Sequence, residues 1–242
     1  MELSDLSLAT AGVIAADVAL PDYDRRAVTP GIVHIGVGNF HRAHQALVIN
    51  RLLREGRATE WGIKGLALLP GDEPLARAMQ KQDGLYTLVE KHSDGTWDLR
   101  IIGSIVEVVF APDDINAAID ALTDPRIKIV SLTITEGGYN FDRLTGEFML
   151  DTPAVARDLE PNASPITVFG LVCAALIKRR EKDIAPFTVL SCDNIQHNGD
   201  VAKEMFTSFA RAKDPELADW MVGNVAFPNS MVDRITPVTT QA

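Results

Sequence analysis

The sequence predicts an α/β protein built on a parallel sheet with helices on both faces. Short apolar runs rich in β-branched residues alternate with longer segments whose apolar residues recur at helical spacing. The runs over residues 31–37 and 126–133 are apolar enough to suit strands that are buried on both faces. This alternation is typical of βαβ units.

A glycine turn follows the first of these runs and leads directly into a helix. Residues 36–41 read GVGNFH, which differs from the dinucleotide-binding pattern G-x-G-x-x-G by His41 in place of the third glycine. Glycines let the backbone approach a pyrophosphate, and free N–H groups at a helix start bind it. The turn therefore predicts a Rossmann-like, doubly wound sheet. The candidate cofactor-binding residues are Gly36, Gly38, Asn39, Phe40 and His41.

Two features of this turn leave alternatives open. The same residues fit an ordinary tight β-to-α turn that binds no nucleotide. His41 is also expected to keep the helix further from the strand than a glycine would.

Composition limits the class of protein and its partners. The chain has 242 residues, of which 46% are hydrophobic and 23% charged, as in ordinary globular domains. With 23 Lys and Arg against 33 Asp and Glu, the formal net charge is −10. An acidic surface argues against nucleic acid or an anionic membrane as the main partner.

The expected location is cytoplasmic. No apolar run approaches the roughly 20 residues that span a bilayer, and the acidic N-terminus lacks the basic segment of a signal peptide. The two cysteines, Cys173 and Cys192, are too few for a disulfide scaffold and are expected to be unpaired thiols.

The remaining elements follow in order along residues 30–242, which we predict to form one dinucleotide-binding domain after an N-terminal extension over 1–29 with a short leading helix. The turn Asp94-Gly95 predicts an inserted β-hairpin. Strands are predicted over residues 61–69, 85–91, 96–104, 105–110, 126–133 and 186–191, and an extended strand and turn over 225–237. Helices are predicted over 73–82, 112–122, 166–182, 200–212 and 215–223.

An acidic residue, Asp72, follows the second strand of the predicted sheet. At this place a carboxylate accepts hydrogen bonds from the adenosine ribose and repels a 2′-phosphate. No arginine follows directly, although Arg77 is near enough in sequence to fold back, so the pattern favours NAD over NADP. A turn or helix-capping aspartate is the alternative, and Asp72 can serve both purposes.

Two polar clusters follow later strands, where ligands bind in open α/β sheets. Thr135 and Glu136 begin the sequence TEGGY, and Glu136 is placed to face a substrate or to move a proton. Asn194 follows the next strand and is able to donate its amide to a carbonyl or alkoxide oxygen. The alternatives are a solvated glycine turn and helix capping by Asp193 or Asn198.

Several strings between residues 31 and 237 resemble one family. VGNFHRAHQA, SLTITEGGY, SCDN with a following NG, and FPN with MVDRI are similar to those of the polyol-specific long-chain dehydrogenases, which include mannitol 2-dehydrogenase, fructuronate reductase and D-arabinitol 4-dehydrogenase. The resemblance implies a metal-independent oxidoreductase that transfers hydride between NAD(H) and a polyol/ketose pair, with D-mannitol and D-fructose favoured over the other members' substrates.

The resemblance also implies roles for particular residues. Asn194 is expected to hold the reacting oxygen, and Asp233 to bind polyol hydroxyls with Asn229 in support. Thr135 is expected at the cofactor. Without the resemblance, Asp233 and Arg234 suggest only an ion pair.

The family's second, helical domain supplies a catalytic lysine in a K-x-x-x-x-N-x-x-H motif, and the 242 residues contain no such motif. We therefore expect that this C-terminal domain is absent and that the chain binds NAD(H) weakly, turns over little, and self-associates through exposed apolar surface. A non-catalytic NAD-binding module is the alternative of another class.

A zinc site was also considered, because histidines and a cysteine cluster in the sequence. The residues concerned are His41, His44, Cys192, Asp193 and His197. Their spacings match no common structural zinc pattern, so no metal is expected.

Overall fold

The computed structural model describes residues 6–8, 10–11, 18–234 and 236. Five parallel strands form a sheet in the order β5-β2-β1-β6-β7, and β3 and β4 form a separate antiparallel hairpin. The strands are β1 Pro30–Ile35, β2 Gly62–Ala67, β3 Tyr86–Lys91, β4 Trp97–Ile102, β5 Ile105–Phe110, β6 Ile129–Leu132 and β7 Thr188–Ser191. The predicted leading helix lies largely outside the described residues.

Helices connect the strands of the large sheet. They are α1 Asn39–Ala43, α2 Gln45–Arg54, α3 Glu73–Lys81, α4 Ile115–Thr123, α5 Pro153–Leu159, α6 Val168–Glu181, α7 Asn198–Lys213 and α8 Pro215–Asn224. Short 3-10 turns occur at Arg25–Ala27, Pro70–Asp72 and Glu136–Tyr139. None of the described helices combines the length and the apolar character needed to cross a membrane.

Strand β1 is the centre of the sheet, and all of its residues are buried. The chain runs outward from β1 through β2 to β5 and then returns to β6 on the other side of β1. This order confirms the predicted doubly wound, Rossmann-like sheet, and the hairpin β3–β4 is inserted between α3 and β5 as predicted. The switch point lies between β1 and β6.

The core lies on both faces of the sheet, because successive residues of a strand point to opposite sides. Val33 and Ile35 of β1 pack into a cluster with α4, α6, α7 and α8. Ile32 packs into a second cluster with α2, α3 and the hairpin. A strand with both faces covered is mostly apolar, which explains the run that predicted β1.

The first helix differs from the prediction, which treated its apolar residues as one continuous helix. It breaks at His44, whose φ and ψ are −122° and −82°. The His44 ring stacks on the Phe40 ring with 4.5 Å between centroids, and its Nδ1 lies 3.0 Å from the Phe40 carbonyl oxygen. The break leaves α1 as a single short turn of helix that follows the glycines.

The predicted strand over 225–237 is wrong for the part that is described, 225–234, which forms no regular strand. The Ala226 carbonyl accepts one hydrogen bond from Val189 N–H in β7 (2.9 Å). Pro228 then interrupts the pairing, since proline has no N–H to donate. Helix α5, at only seven residues, was not predicted because it is too short to show a clear period.

One buried cation holds the end of α6 to the body of the domain. Arg179 is 1% exposed, and its guanidinium donates to the carbonyl oxygens of Leu122 (2.7 Å), Ile127 (2.9 Å) and Ala185 (2.9 Å). It also lies 5.1 Å from the centre of the Phe187 ring. Carbonyl oxygens thus solvate a charge that has lost its water.

We expect Arg179→Met to lower the free energy of unfolding by about 2–4 kcal/mol, because the buried carbonyl groups of Leu122 and Ile127 lose their donor. Urea unfolding followed by circular dichroism measures this change. Arg180→Met is the matched control, since Arg180 is exposed, and it should change the value by no more than about 0.5 kcal/mol. Equal effects of the two substitutions would contradict this account of Arg179.

Candidate functional site

The glycine turn lies at the switch point of the sheet, where ligands bind in open α/β folds. Gly36 has a φ of +95°, and a Cβ there would collide with the carbonyl oxygen of Thr133, just after β6. The Gly36 carbonyl accepts hydrogen bonds from the Thr133 hydroxyl (2.6 Å) and from Gly38 N–H (2.7 Å). Only glycine therefore fits at position 36, because its φ is positive and because no space remains there for a Cβ.

Two stacked imidazoles join α1 to β1. His41 lies face to face with His34, with 3.5 Å between ring centroids and 10° between planes. His34 is itself held by Ser131 Oγ at Nδ1 (2.8 Å) and by Thr133 Oγ1 at Nε2 (2.9 Å). His41 was expected to keep the helix further from the strand than glycine would. The two stacked rings fill the resulting space between α1 and β1.

Burial keeps both imidazoles neutral. It lowers the pKa of His34 from 6.5 to about 3, and it lowers the pKa of His41 well below 6.5 with a further contribution from neighbouring His34. Neither ring nitrogen of His41 has a hydrogen-bond partner among the described residues. The stack therefore depends on both rings remaining unprotonated.

A groove of about 150 Å³ extends from the glycine turn along α3. Gly36, Gly38 and Asp72 line it, together with apolar side chains that include Leu75 and Met79. Asp72 accepts a hydrogen bond from Leu69 N–H (3.1 Å) with one carboxylate oxygen and so closes its own turn. Asp72 is also among the residues that line the groove, and its contact with a ribose stays a prediction.

Arg77 does not fold back toward this groove. Its guanidinium pairs with the carboxylates of Asp113 (2.8 Å) and Glu73 (3.1 Å), and it is absent from the residues that line the groove. Arg77, the cation near enough in sequence to fold back toward a 2′-phosphate, is thus already paired with two carboxylates.

A second cavity, of about 540 Å³, opens on the other side of the glycine turn. It lies at the carboxyl ends of β1, β6 and β7, under residues 231–234. Thr133 lines both the groove and this cavity, so the two are neighbours at a single residue. The other side chains that line the cavity include Phe40, His41, His44, Cys192, Asp233 and Arg234.

Asn39 and Phe40, predicted at the cofactor, both follow the glycines but have different surroundings. Asn39 is exposed as the first residue of α1 and accepts a hydrogen bond from Arg42 (2.5 Å). Phe40 instead forms part of the cavity wall. Their contacts with a nucleotide stay predictions.

Thr135 and Glu136 are both exposed after β6. Glu136 pairs with Arg143 at 3.3 Å, and neither Thr135 nor Glu136 is among the residues that line the groove or the cavity. Glu136 therefore lies outside both the groove and the cavity, and its role toward a substrate stays a prediction.

Asp193 joins the loops that follow β6 and β7. Its buried carboxylate accepts hydrogen bonds from Thr135 N–H (2.9 Å), Ile134 N–H (3.1 Å) and the Tyr139 hydroxyl (2.9 Å). Burial raises the pKa of Asp193, although these three hydrogen bonds act in the opposite direction. Asp193 is thus not a cap of α7, which was the alternative suggested by the sequence.

Asn194, the predicted catalytic residue, follows Asp193 directly. Its side chain is exposed and forms no hydrogen bond with any described residue, so its amide is available to a ligand. Asp233, the predicted binder of hydroxyls, is exposed at the rim of the cavity. Both roles stay predictions.

Two asparagines fasten the segment 225–234 to the start of α7. Asn229 accepts hydrogen bonds from Gly199 N–H (2.7 Å) and Asp200 N–H (3.2 Å) and donates to the Asp200 carboxylate (2.9 Å). Asn198 donates to the Ser230 carbonyl (3.0 Å). The amide of Asn229 is therefore committed to capping α7, and the expected substrate contact of Asn229 stays a prediction.

The residues considered for zinc do not form a site. No group of three or more His, Cys, Asp or Glu side chains is arranged to hold a metal ion in the described part of the chain. Cys173 and Cys192 are both free thiols, and burial raises their pKa values to about 12 and about 11 respectively.

Sequence reasoning missed the residues that hold the site together. His34 lies within the apolar run over residues 31–37 and was assigned no role, although a buried polar side chain normally has hydrogen-bond partners nearby. Asp193 was assigned only the alternatives of a helix cap or a zinc ligand. The usable signal was its place directly after a buried strand, at the edge where several loops meet.

The doubly wound sheet and the glycine turn at its switch point define a Rossmann domain. A family profile described as the mannitol dehydrogenase Rossmann domain matches residues 30–242. This match covers most of the chain, so the chain belongs to the mannitol dehydrogenase family, and the resemblance noted from the motifs is confirmed.

Two similar proteins are named as polyol oxidoreductases. Mannitol 2-dehydrogenase of Phaeosphaeria nodorum is 47% identical over 224 residues, which are 93% of this chain and 39% of that protein. Polyol:NADP oxidoreductase of Gluconobacter oxydans is 46% identical over 229 residues, 94% of this chain and 47% of that protein.

Solved structures have the same fold at similar identity. The ternary complex of Pseudomonas fluorescens mannitol 2-dehydrogenase with NAD and D-mannitol superposes with a TM-score of 0.93 at 46% identity, over 97% of this chain and 48% of that one. A substrate-free D-sorbitol dehydrogenase gives 0.91 at 44% identity, over 97% and 49%. The chain thus spans about half the length of these relatives or less.

The stacked histidines predict a loss of stability in acid. Both imidazoles stay neutral when folded but protonate in the unfolded chain below a pKa of 6.5, so unfolding takes up protons below that pH, and for His34 this continues down to about pH 3. Near pH 5, each such histidine makes the free energy of unfolding fall by about 1.4 kcal/mol per pH unit of acidification. His41→Phe should remove one of these contributions while keeping an aromatic ring in the stack.

Urea unfolding between about pH 7 and pH 5 measures the slope for each variant. His92→Phe is the control, because His92 is exposed on the hairpin, and it should leave the slope as in the parent protein. An unchanged slope in His41→Phe would contradict the assignment of a neutral, buried His41.

Proposed function

We propose that this chain is the nicotinamide-nucleotide-binding part of a polyol dehydrogenase that interconverts D-mannitol and D-fructose. One observation carries the proposal: the glycine-lined groove and the larger cavity meet at Thr133, so a nucleotide in the first would extend to a substrate in the second. The relatives named mannitol 2-dehydrogenase and the complex of one of them with NAD and D-mannitol support the choice of ligands.

The groove has the features that a dinucleotide needs. Gly36 turns the chain where no Cβ fits, and a Cβ on Gly38 would meet no described atom closer than 3.9 Å, so the glycines leave open backbone beside the groove. Asp72 provides a carboxylate for ribose hydroxyls, and Leu75 and Met79 provide an apolar wall. When bound, NAD supplies the acceptor for a hydride.

The chain's own side chains then act on the polyol. The Asn194 amide is available to donate a hydrogen bond to the oxygen that changes from hydroxyl to carbonyl, where charge develops. The Asp233 carboxylate at the cavity rim is available to accept hydrogen bonds from neighbouring hydroxyls. The balanced reaction is D-mannitol + NAD⁺ ⇌ D-fructose + NADH + H⁺, with hydride leaving carbon and the proton leaving oxygen.

The choice between NAD and NADP rests on Asp72 rather than on family membership, since one relative is named a polyol:NADP oxidoreductase. A carboxylate facing the ribose repels a 2′-phosphate. Arg77, the nearby cation that would offset this repulsion, is paired with Asp113 and Glu73 instead. We therefore propose NAD as the cofactor.

We expect the chain to bind NADH at least about tenfold more tightly than NADPH, and Asp72→Asn to reduce this preference by about tenfold. The substitution keeps an acceptor for Leu69 N–H but removes the charge. Fluorescence titration with each nucleotide measures both affinities. The control is Glu73→Gln, which neutralises the adjacent exposed carboxylate. A preference that is equal in Asp72→Asn and the parent would contradict the role of Asp72.

We expect little or no turnover by the 242-residue chain, because none of the described residues that line the cavity is a lysine able to accept the hydroxyl proton. The test follows NADH formation by absorbance with NAD and D-mannitol, and repeats it with D-arabinitol. NADH formation that depends on either polyol would contradict this expectation, and formation with D-arabinitol alone would in addition favour a D-arabinitol dehydrogenase. Fructuronate reductase is tested in the reverse direction with D-fructuronate and NADH.

A further inference from the structure

Thr135 adopts a backbone conformation that only glycine normally takes. Its φ is +63° and its ψ is 165°, where a Cβ is strained and a β-branched side chain especially so. The side chain is exposed, and its hydroxyl forms no hydrogen bond with any described residue. The fold would therefore accept glycine here more readily than threonine.

Hydrogen bonds to the Asp193 carboxylate hold Thr135 in this conformation. Its two carboxylate oxygens accept from Thr135 N–H (2.9 Å) and Ile134 N–H (3.1 Å), and so bind the two successive peptide groups that flank Ile134. The Tyr139 hydroxyl donates to the same carboxylate (2.9 Å) and lies 2.6 Å from Ser191 Oγ. The strained residue is thus clamped between the ends of β6 and β7.

Thr135 lies outside the groove and the cavity, two residues after Thr133, which lines both. We propose that Asp193 is a positioning residue that holds Thr135 in its strained conformation so that the Thr135 side chain contacts a nucleotide that extends from the groove past Thr133. This inference rests on the proposed binding of NAD(H). Strain of this kind persists only where the surroundings impose it, and it is concentrated at functional sites. Because Asn194 follows Asp193 directly, the same carboxylate also sets the position of the loop that carries Asn194.

A purely structural role for Asp193 explains less of the geometry. A helix cap would direct its oxygens to the first N–H groups of α7, but Asn229 accepts from Gly199 and Asp200 there. All three donors to the Asp193 carboxylate lie instead in the loop after β6. The clamp therefore acts on the loop that contains Thr135.

The experiment compares Asp193→Asn, Thr135→Gly, Thr135→Ala and the double variant Asp193→Asn/Thr135→Gly. Glycine removes the strain and the side chain, whereas alanine removes the hydroxyl but keeps the strained Cβ. Urea unfolding and NADH fluorescence titration are measured on each protein.

The stability measurements test the clamp without any nucleotide. Thr135→Gly should lower the unfolding equilibrium constant in the parent, where Asp193 enforces the strain, and should not do so in the Asp193→Asn background, where the loop relaxes. The effect of Thr135→Gly should differ about tenfold between the two backgrounds. Thr135→Ala should not stabilise the parent. Equal effects in both backgrounds would overturn the clamp.

The titrations test the role in binding. Thr135→Gly should bind NADH about tenfold more weakly although it is more stable than the parent, and Thr135→Ala and Asp193→Asn should also bind more weakly. Unchanged NADH affinity in Thr135→Gly and Asp193→Asn would overturn the positioning role. If Asp193→Asn fails to fold, Tyr139→Phe weakens the same clamp by one hydrogen bond and should reduce NADH affinity by a smaller factor.

The two proposals fail in different ways. A parent protein that binds no NADH contradicts the proposed function, and with it the contact between Thr135 and nucleotide, whatever the stability measurements give. A parent that binds NADH, combined with additive stability effects of Asp193→Asn and Thr135→Gly, overturns the clamp alone.

Discussion

The close contact between Gly36 and Thr133 is the constraint on which the rest of the site depends. The chain leaves β1 so near the end of β6 that position 36 has no room for a Cβ, and its φ of +95° suits glycine alone. The Thr133 hydroxyl then bonds the Gly36 carbonyl at 2.6 Å and fixes the turn to the neighbouring strand. Because Thr133 lines both the groove and the cavity, this contact also sets their relative position.

Around this contact, each loop at the carboxyl edge of the sheet is held by a side chain from another part of the chain. His34 bonds Ser131 and Thr133, Asp193 bonds the backbone of Thr135, and Asn229 caps α7. The polar groups that build the edge are therefore largely satisfied within the protein. Asn194 and Asp233 are exposed beside this edge. Such an arrangement, with most polar groups bonded within the protein and a few left exposed, is expected where a rigid support presents groups to a ligand.

Local patterns predicted the regular elements well, because strand and helix periods are expressed over a few residues. Strand β5 has the predicted bounds of 105–110, and the hairpin forms at the turn Asp94-Gly95. The predictions were wrong where a side chain competes with the regular backbone pattern, as at His44, or where a segment finds partners other than a strand. Residues 225–234 resemble a strand in sequence, but Asn229 and Ser230 bond the start of α7 instead.

The sequence by itself determined the order of strands and helices, the need for glycine at the turn, and membership of the mannitol dehydrogenase family, since each depends on neighbouring residues or on short motifs. The tertiary structure alone decided which polar side chains meet. His34 and Ser131 are 97 residues apart in the chain, and Asp193 and Thr135 are 58 apart. No local period connects residues at such separations, because their contact is created by the packing of parallel strands whose carboxyl ends share one edge.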